Sequence, residues 1–154
     1  MLDPKNIRIG LKCSDKEELL EQLFDMARTT KCLNNFERFK KTLLEREHIQ
    51  STGLGKGIAI PHAPSDAVDS IFLVIGVCPK GVDFHSYDCK PCYVAFMIGS
   101  PIDDNREYLG VLAEISRIFR NIGVVDSLIE KTSPEEICQE LKKRYIEFNS
   151  EANR

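Results

Sequence analysis

One histidine and one arginine bracket a glycine-rich stretch in this chain. The run Ser51-Thr52-Gly53-Leu54-Gly55-Lys56-Gly57-Ile58-Ala59-Ile60-Pro61-His62-Ala63 presents His62 just after a proline, and Arg46 stands five residues ahead of Ser51. A neutral imidazole is nucleophilic at pH 7, because its unperturbed pKa is about 6.5. A guanidinium and backbone N–H groups can hold the equatorial oxygens of a transferring phosphoryl group. Glycine leaves no Cβ in the way of close approach, and loop N–H groups can face an anion. Ser51 and Thr52 add two hydroxyls. The residues therefore suit a phosphoryl acceptor, His62, with Arg46, Ser51, Thr52 and Gly53 as phosphate-binding groups. They also suit a plainer arrangement: a flexible turn, a surface or cap histidine, and an Arg46 paired with Glu45, Glu47 or a helix end, where a surface ion pair contributes little.

Two nucleotide-binding loops are excluded by spacing. A P-loop needs Gly-x-x-x-x-Gly-Lys-Ser/Thr, whereas Lys56 is followed by Gly57. A dinucleotide fingerprint needs Gly-x-Gly-x-x-Gly between a strand and a helix. Here the order is Gly-x-Gly-x-Gly, after a helical pattern and before a strand pattern.

The remaining reactive residues carry weaker signals. His85, in Asp-Phe-His-Ser-Tyr-Asp, has no clustered ligands or partner base and reads as a loop histidine. His48 reads as a helix-end residue, where a cation suits the C-terminal dipole. Among the six cysteines, Cys89 and Cys92 form a C-x-x-C. That motif lowers a thiol pKa when it opens a helix, and here it enters a strand pattern. A zinc site would need two more ligands at matching spacing, which the sequence lacks. The cysteines read mainly as buried small hydrophobes of a reducing compartment.

The elements that must position these residues follow from periodicity and caps. Ser14-Asp15-Lys16-Glu17 reads as a capping box for a helix over Asp15–Thr29, with Leu20, Leu23, Phe24 and Ala27 on its apolar side. Asn34 or Asn35 caps a second helix to about Glu47, with the stripe Phe36, Phe39, Leu43 and Leu44. Ile58–Ile60 reads as a strand stub. Ser70–Cys78 and Cys92–Gly99 read as strands buried on both faces, with a turn at Pro79-Lys80-Gly81. Asp103 or Asp104 caps a third helix, with Leu109, Leu112, Ile115, Phe119 and Ile122 inward and Gly123 at its end. A short helix follows over Val125–Lys131. Ser133-Pro134-Glu135-Glu136 opens a last helix to about Phe148, and the tail from Asn149 to Arg154 is expected to fray. Buried strands need cover on both faces, so the expected fold is α/β, a three-layer α/β/α sandwich with a mixed sheet.

Composition sets the outer limits. The chain has 154 residues, one domain by length. With 42% hydrophobic and 29% charged residues it reads as a globular domain. Its net charge of −3 gives no basic footprint for nucleic acid. There is no signal-peptide plan at the N-terminus, and no apolar run long enough to span a bilayer. A cytoplasmic protein without stable membrane insertion is the expectation.

The thirteen-residue run from Ser51 to Ala63 resembles the signature of the type-2 IIA domains of the bacterial phosphoenolpyruvate-dependent phosphotransferase system, the fructose, mannitol and nitrogen-regulatory group. The resemblance extends upstream through Leu-Leu-Glu-Arg-Glu, which places Arg46 on the family's arginine. It extends downstream through Gly-Val-Asp-Phe-His-Ser-Tyr-Asp-Cys-Lys-Pro and, in order of elements, from about Asp3 to Phe148. It implies that His62 takes a phosphoryl group from the phosphocarrier protein HPr, on Nε2. The group would pass to a IIB component or, in the regulatory branch, change which target protein is bound. It implies no metal and no organic cofactor. The sequence departs from the family at Tyr108, which stands where many members carry a second histidine. A tyrosine hydroxyl can donate to a phosphoryl oxygen but cannot carry an imidazolium's charge.

Overall fold

The computed structural model describes residues 1–103, 105–121 and 123–152. A 3-10 turn at Pro4–Asn6 leads into β1 (Ile7–Arg8), α1 (Lys16–Thr29) and α2 (Phe36–Ile49). Three short strands follow, β2 (Gly53–Gly55), β3 (Ile58–Ala59) and β4 (His62–Pro64). Two long strands, β5 (Phe72–Val82) and β6 (Cys92–Ser100), precede α3 (Asn105–Ile118), α4 (Val124–Ile129) and α5 (Pro134–Ala152).

The sheet is mixed. Its order is β1-β5-β6-β3-β2, with β4 also paired to β6. β5 and β6 are antiparallel, while β1 runs parallel to β5, and β3 and β4 parallel to β6. The long strands are apolar at every position of their middle, and their period of two splits that content between two cores. Val74, Cys78, Ala95 and Met97 meet α1 and α2, through Leu23, Phe24, Phe39 and Leu43. Leu73, Ile75, Phe96 and Ile98 meet α3, α4 and α5, through Ile115, Phe119, Leu128 and Ile137. This is the α/β/α sandwich expected from the strands' need for cover on both faces.

Several local expectations shift. The cap of α1 is Asp15, whose carboxylate accepts from the Glu18 N–H, while Glu18 reaches back to the Ser14 N–H. The capping box is therefore displaced by one residue, because Asp15 and Glu18 have the required spacing and the stronger acceptors. Pro79-Lys80-Gly81 is not a turn but lies inside β5. Between Val77 and Val82 five steps of β5 oppose two of β6, from Val94 to Cys92. Pro79 has no N–H for the ladder and Gly81 takes a φ of 78°, so the strand bulges there instead of reversing. The reversal comes in residues 83–91. Leu44 and Leu109 face outward. Gly123 precedes α4 at a φ of 99°. The last helix reaches Ala152, past the expected end at Phe148, since no glycine or proline after Pro134 interrupts it. Ser133 accepts from the Glu136 N–H, as expected of its box. Asp104, Ile122, Asn153 and Arg154, on which other expectations fell, lie outside the described residues.

Candidate functional site

His62 sits where β4 joins the sheet. β2 and β3 form a tight hairpin, in which Lys56 and Gly57 have φ of 57° and 87°, the positive pair that a type I′ turn needs. The chain then runs beside β6 in constant register, Ala59 opposite Ala95 and His62 opposite Ile98. Pro61 interrupts the ladder between them for lack of an N–H, while its carbonyl accepts from the Ile98 N–H at 3.0 Å. Ile58 and Ile60 point into the core under α3–α5. Alternation puts His62 on that same side, where α3 brings Tyr108. The two ring centroids are 5.5 Å apart and inclined at 57°.

The imidazole is held through Nδ1, which faces the Ile60 carbonyl oxygen. A carbonyl only accepts, so Nδ1 carries the proton and Nε2 keeps its lone pair. Burial lowers the His62 pKa below 6.5, and the positive charge of Arg46 lowers it further. The Ile60 carbonyl and the carboxylate of Glu47 pull the other way without reversing the shift. The ring is therefore neutral at pH 7, with its free lone pair on Nε2. Burial also raises the Tyr108 phenol above its ordinary value, against the opposing pull of Arg46. Tyr108 thus stays a neutral hydroxyl. Arg46, in the last turn of α2, acts on both rings and donates from Nη1 to the Gln50 carbonyl at 2.9 Å.

The structure brings Arg46, Tyr108 and His62 together, and turns the polar groups of Ser51, Thr52 and Gly53 toward the protein. The Ser51 hydroxyl donates to the Phe84 carbonyl at 2.7 Å and accepts from the Gly53 N–H at 3.0 Å. Thr52 is buried, and both its N–H and its hydroxyl go to Glu47, at 2.8 and 2.7 Å. A Cβ on Gly53 would lie 2.3 Å from the Ser86 hydroxyl and 2.9 Å from the Ser86 Cα, so the glycine serves loop-against-loop packing. These three residues build the frame rather than offer free donors. Reading from sequence missed Glu47 as a structural carboxylate. The available signal was its place beside Arg46, where it looked like a helical ion-pair partner; its actual partner is Lys16, at 2.9 Å.

The weaker candidates fall outside the site. His85 is exposed, its Nδ1 3.8 Å from Asp83, and His48 is exposed on α2. Cys89 is exposed in the 83–91 loop, whereas Cys92 is buried on β6. Burial pushes the Cys92 thiol up to about 12, the direction opposite to that of a reactive thiolate. Among the described residues no helix is long and apolar enough to cross a membrane.

Comparison with known proteins decides what this geometry belongs to. The family described as "Phosphoenolpyruvate-dependent sugar phosphotransferase system, EIIA 2" matches residues 1–144. The chain belongs to this family. It is 34% identical over 122 residues to a fructose-specific EIIA component from Haloferax volcanii, covering 79% of each protein. It is 29% identical over 137 residues to the fructose-specific EIIABC component of Bacillus subtilis, of which it spans only 22%. Among solved structures, the nitrogen regulatory protein IIA-Ntr of Neisseria meningitidis superposes with a TM-score of 0.82 at 26% identity, covering 90% of this chain and 94% of that one. The EIIA fold is thus shared with both sugar-specific and nitrogen-regulatory relatives, and the chain is a phosphotransferase-system component.

Proposed function

We propose that residues 1–154 act as one IIA unit in which Nε2 of His62 accepts a phosphoryl group from the phosphohistidine of HPr and hands it to a IIB component in the cytoplasm. The observation that carries this reading is the placement of Nδ1 against the Ile60 carbonyl, which leaves the Nε2 lone pair free at neutral pH. In the transfer, the donor's N–P bond breaks and its electron pair returns to the donor ring, while the new bond forms at Nε2. The proton stays on Nδ1, donated in a hydrogen bond to the Ile60 carbonyl oxygen, which stabilises the cationic imidazole of the product. Arg46 and the Tyr108 hydroxyl are the groups placed to meet phosphoryl oxygens, Arg46 by charge and Tyr108 as a neutral donor. Incubation with phosphoenolpyruvate, enzyme I and HPr tests this. Wild type acquires an acid-labile label, and His62→Ala does not. An unlabelled wild type, or a label that survives H62A, overturns the reading.

A second reading is favoured by Tyr108. Without a second imidazole the site holds the phosphoryl group with one fewer potential cation, which suits storage of a signal over rapid onward transfer. Phosphorylation then adds about −1.5 to −2 charges beside Arg46, by analogy with phosphorylated hydroxyl side chains, and alters docking of a regulatory target protein. Pull-downs with the phosphorylated and unphosphorylated forms discriminate the two roles. Fast transfer to a purified IIB counts against a purely regulatory one.

A further inference from the structure

A buried carboxylate lies directly behind the signature loop. Glu47 is only 5% exposed, yet every partner it has is polar. Its Oε1 accepts from the Thr52 N–H and lies 2.9 Å from Nζ of Lys16, and its Oε2 accepts from the Thr52 hydroxyl at 2.7 Å. Lys16, itself largely covered, also rests over the Phe84 ring at 4.5 Å. Ion pairs in such places are poor sources of stability, because desolvation offsets their attraction, and an apolar pair of the same volume holds two elements together as well. What the carboxylate supplies and an apolar pair cannot is direction: two acceptor oxygens fix both the backbone and the side chain of Thr52.

That direction leads to the reactive ring. The Thr52 carbonyl accepts from the Ile60 N–H at 3.1 Å. The Ile60 carbonyl in turn faces Nδ1 of His62. Ile60 is restricted from the other side as well, since a residue before proline is confined to extended backbone. A continuous path of hydrogen bonds therefore runs from Lys16 at the start of α1, through Glu47 at the end of α2 and Thr52 in the loop, to the imidazole.

We propose that Glu47 is a positioning residue for His62: clamped by Lys16, it holds Thr52 so that the Ile60 carbonyl keeps the proton on Nδ1 and leaves Nε2 available. A neutral imidazole without such a partner distributes its proton over both nitrogens, and the form protonated on Nε2 is not a nucleophile at that atom. The benefit of this device rests on the reading of His62 as phosphoryl acceptor. The tautomer itself is measurable without any transfer.

The test is the ring 15N spectrum of His62 above pH 7.5, where the imidazole is neutral, together with the rate of labelling by phospho-HPr. Wild type shows a single Nδ1-protonated form. Glu47→Ala shows both tautomers and is labelled about tenfold more slowly or worse, the scale of a small misplacement at a reacting group. Thr52→Val, which removes the hydroxyl bond without opening a cavity, shifts the ring in the same direction, and Thr52→Ser restores it. A folded E47A with the wild-type tautomer overturns the proposal. So does a T52V of wild-type tautomer when E47A fails to fold. A lower melting temperature with an unchanged ring also overturns it, since a purely structural carboxylate gives that result. Should wild type remain unlabelled while E47A still shifts the tautomer, the acceptor reading fails and the positioning role stands.

Discussion

At the scale of single residues the site is set by two opposite ways of staying neutral. Burial disfavours the charged form of any group, so it lowers the pKa of His62 and raises that of Tyr108. One stays a neutral imidazole and the other a neutral hydroxyl. NMR titration of His62 is expected to give a pKa below 6.5. Only the neutral ring offers a lone pair at Nε2, so the midpoint at which labelling of His62 is lost on acidification is expected to lie below 6.5 as well. Arg46→Ala removes a charge that lowers this pKa, so it moves the midpoint upward. The same variant is labelled roughly ten- to a hundredfold more slowly, the worth of a charge-assisted hydrogen bond of about 1.5–3 kcal/mol. Tyr108→Phe removes a neutral donor only. Its labelling rate falls by about two- to tenfold, matching about 0.5–1.5 kcal/mol, with the His62 pKa little changed. A Y108F rate equal to wild type rules the hydroxyl out of the transfer.

Elements matter here chiefly by where they stop. α2 ends so that Arg46 looks toward His62 while Glu47, one residue on, looks inward to Thr52 and Lys16; successive helical residues point about 100° apart. The hairpin of β2 and β3 returns the chain to the sheet, and Pro61 breaks the ladder beside β6. Gly53 is where hairpin and 83–91 loop touch, with the Tyr87 N–H donating to the Gly53 carbonyl at 3.2 Å. Gly53→Ala must displace Ser86, part of whose contact is backbone, so a destabilisation of about 1–3 kcal/mol is expected in urea unfolding. Labelling slows as well, since Thr52 adjoins the shifted residue. A G53A variant with wild-type stability contradicts this packing.

Across the whole molecule the sheet separates two independent cores, and the site lies at the rim of one. Phe96 is buried on the α3–α5 side, its ring 5.3 Å from that of Phe119. Phe96→Ala is expected to cost about 3–5 kcal/mol, lowering Tm by roughly 10 °C for a chain of this size. Calorimetry measures this loss. The His62 tautomer, held by the loop and by α2 on the other side, is expected to remain wild type at low temperature. A change of tautomer in F96A would mean that packing on the α3–α5 side, where Tyr108 meets the ring, also sets the tautomer.

The sequence by itself determined the layers, the mixed sheet and the candidates at the centre, His62, Arg46 and Tyr108. Apolar periodicity and caps are local properties, and the Ser51–Ala63 run is local too. It misplaced the reversal after β5, because a bulge and a turn draw on the same proline and glycine and only pairing with β6 separates them. It also assigned Ser51, Thr52 and Gly53 to a phosphoryl group. Hydroxyls and N–H groups bond to whatever acceptor folding brings near. Tertiary structure brought Glu47 from α2 and the Phe84 carbonyl from a distant loop, and so decided that these donors face inward. Lys16 lies thirty-one residues from Glu47 along the chain, a distance at which spacing carries no signal. Only the packing of α1 on α2 makes that pair, and with it the path of hydrogen bonds that ends on Nδ1 of His62.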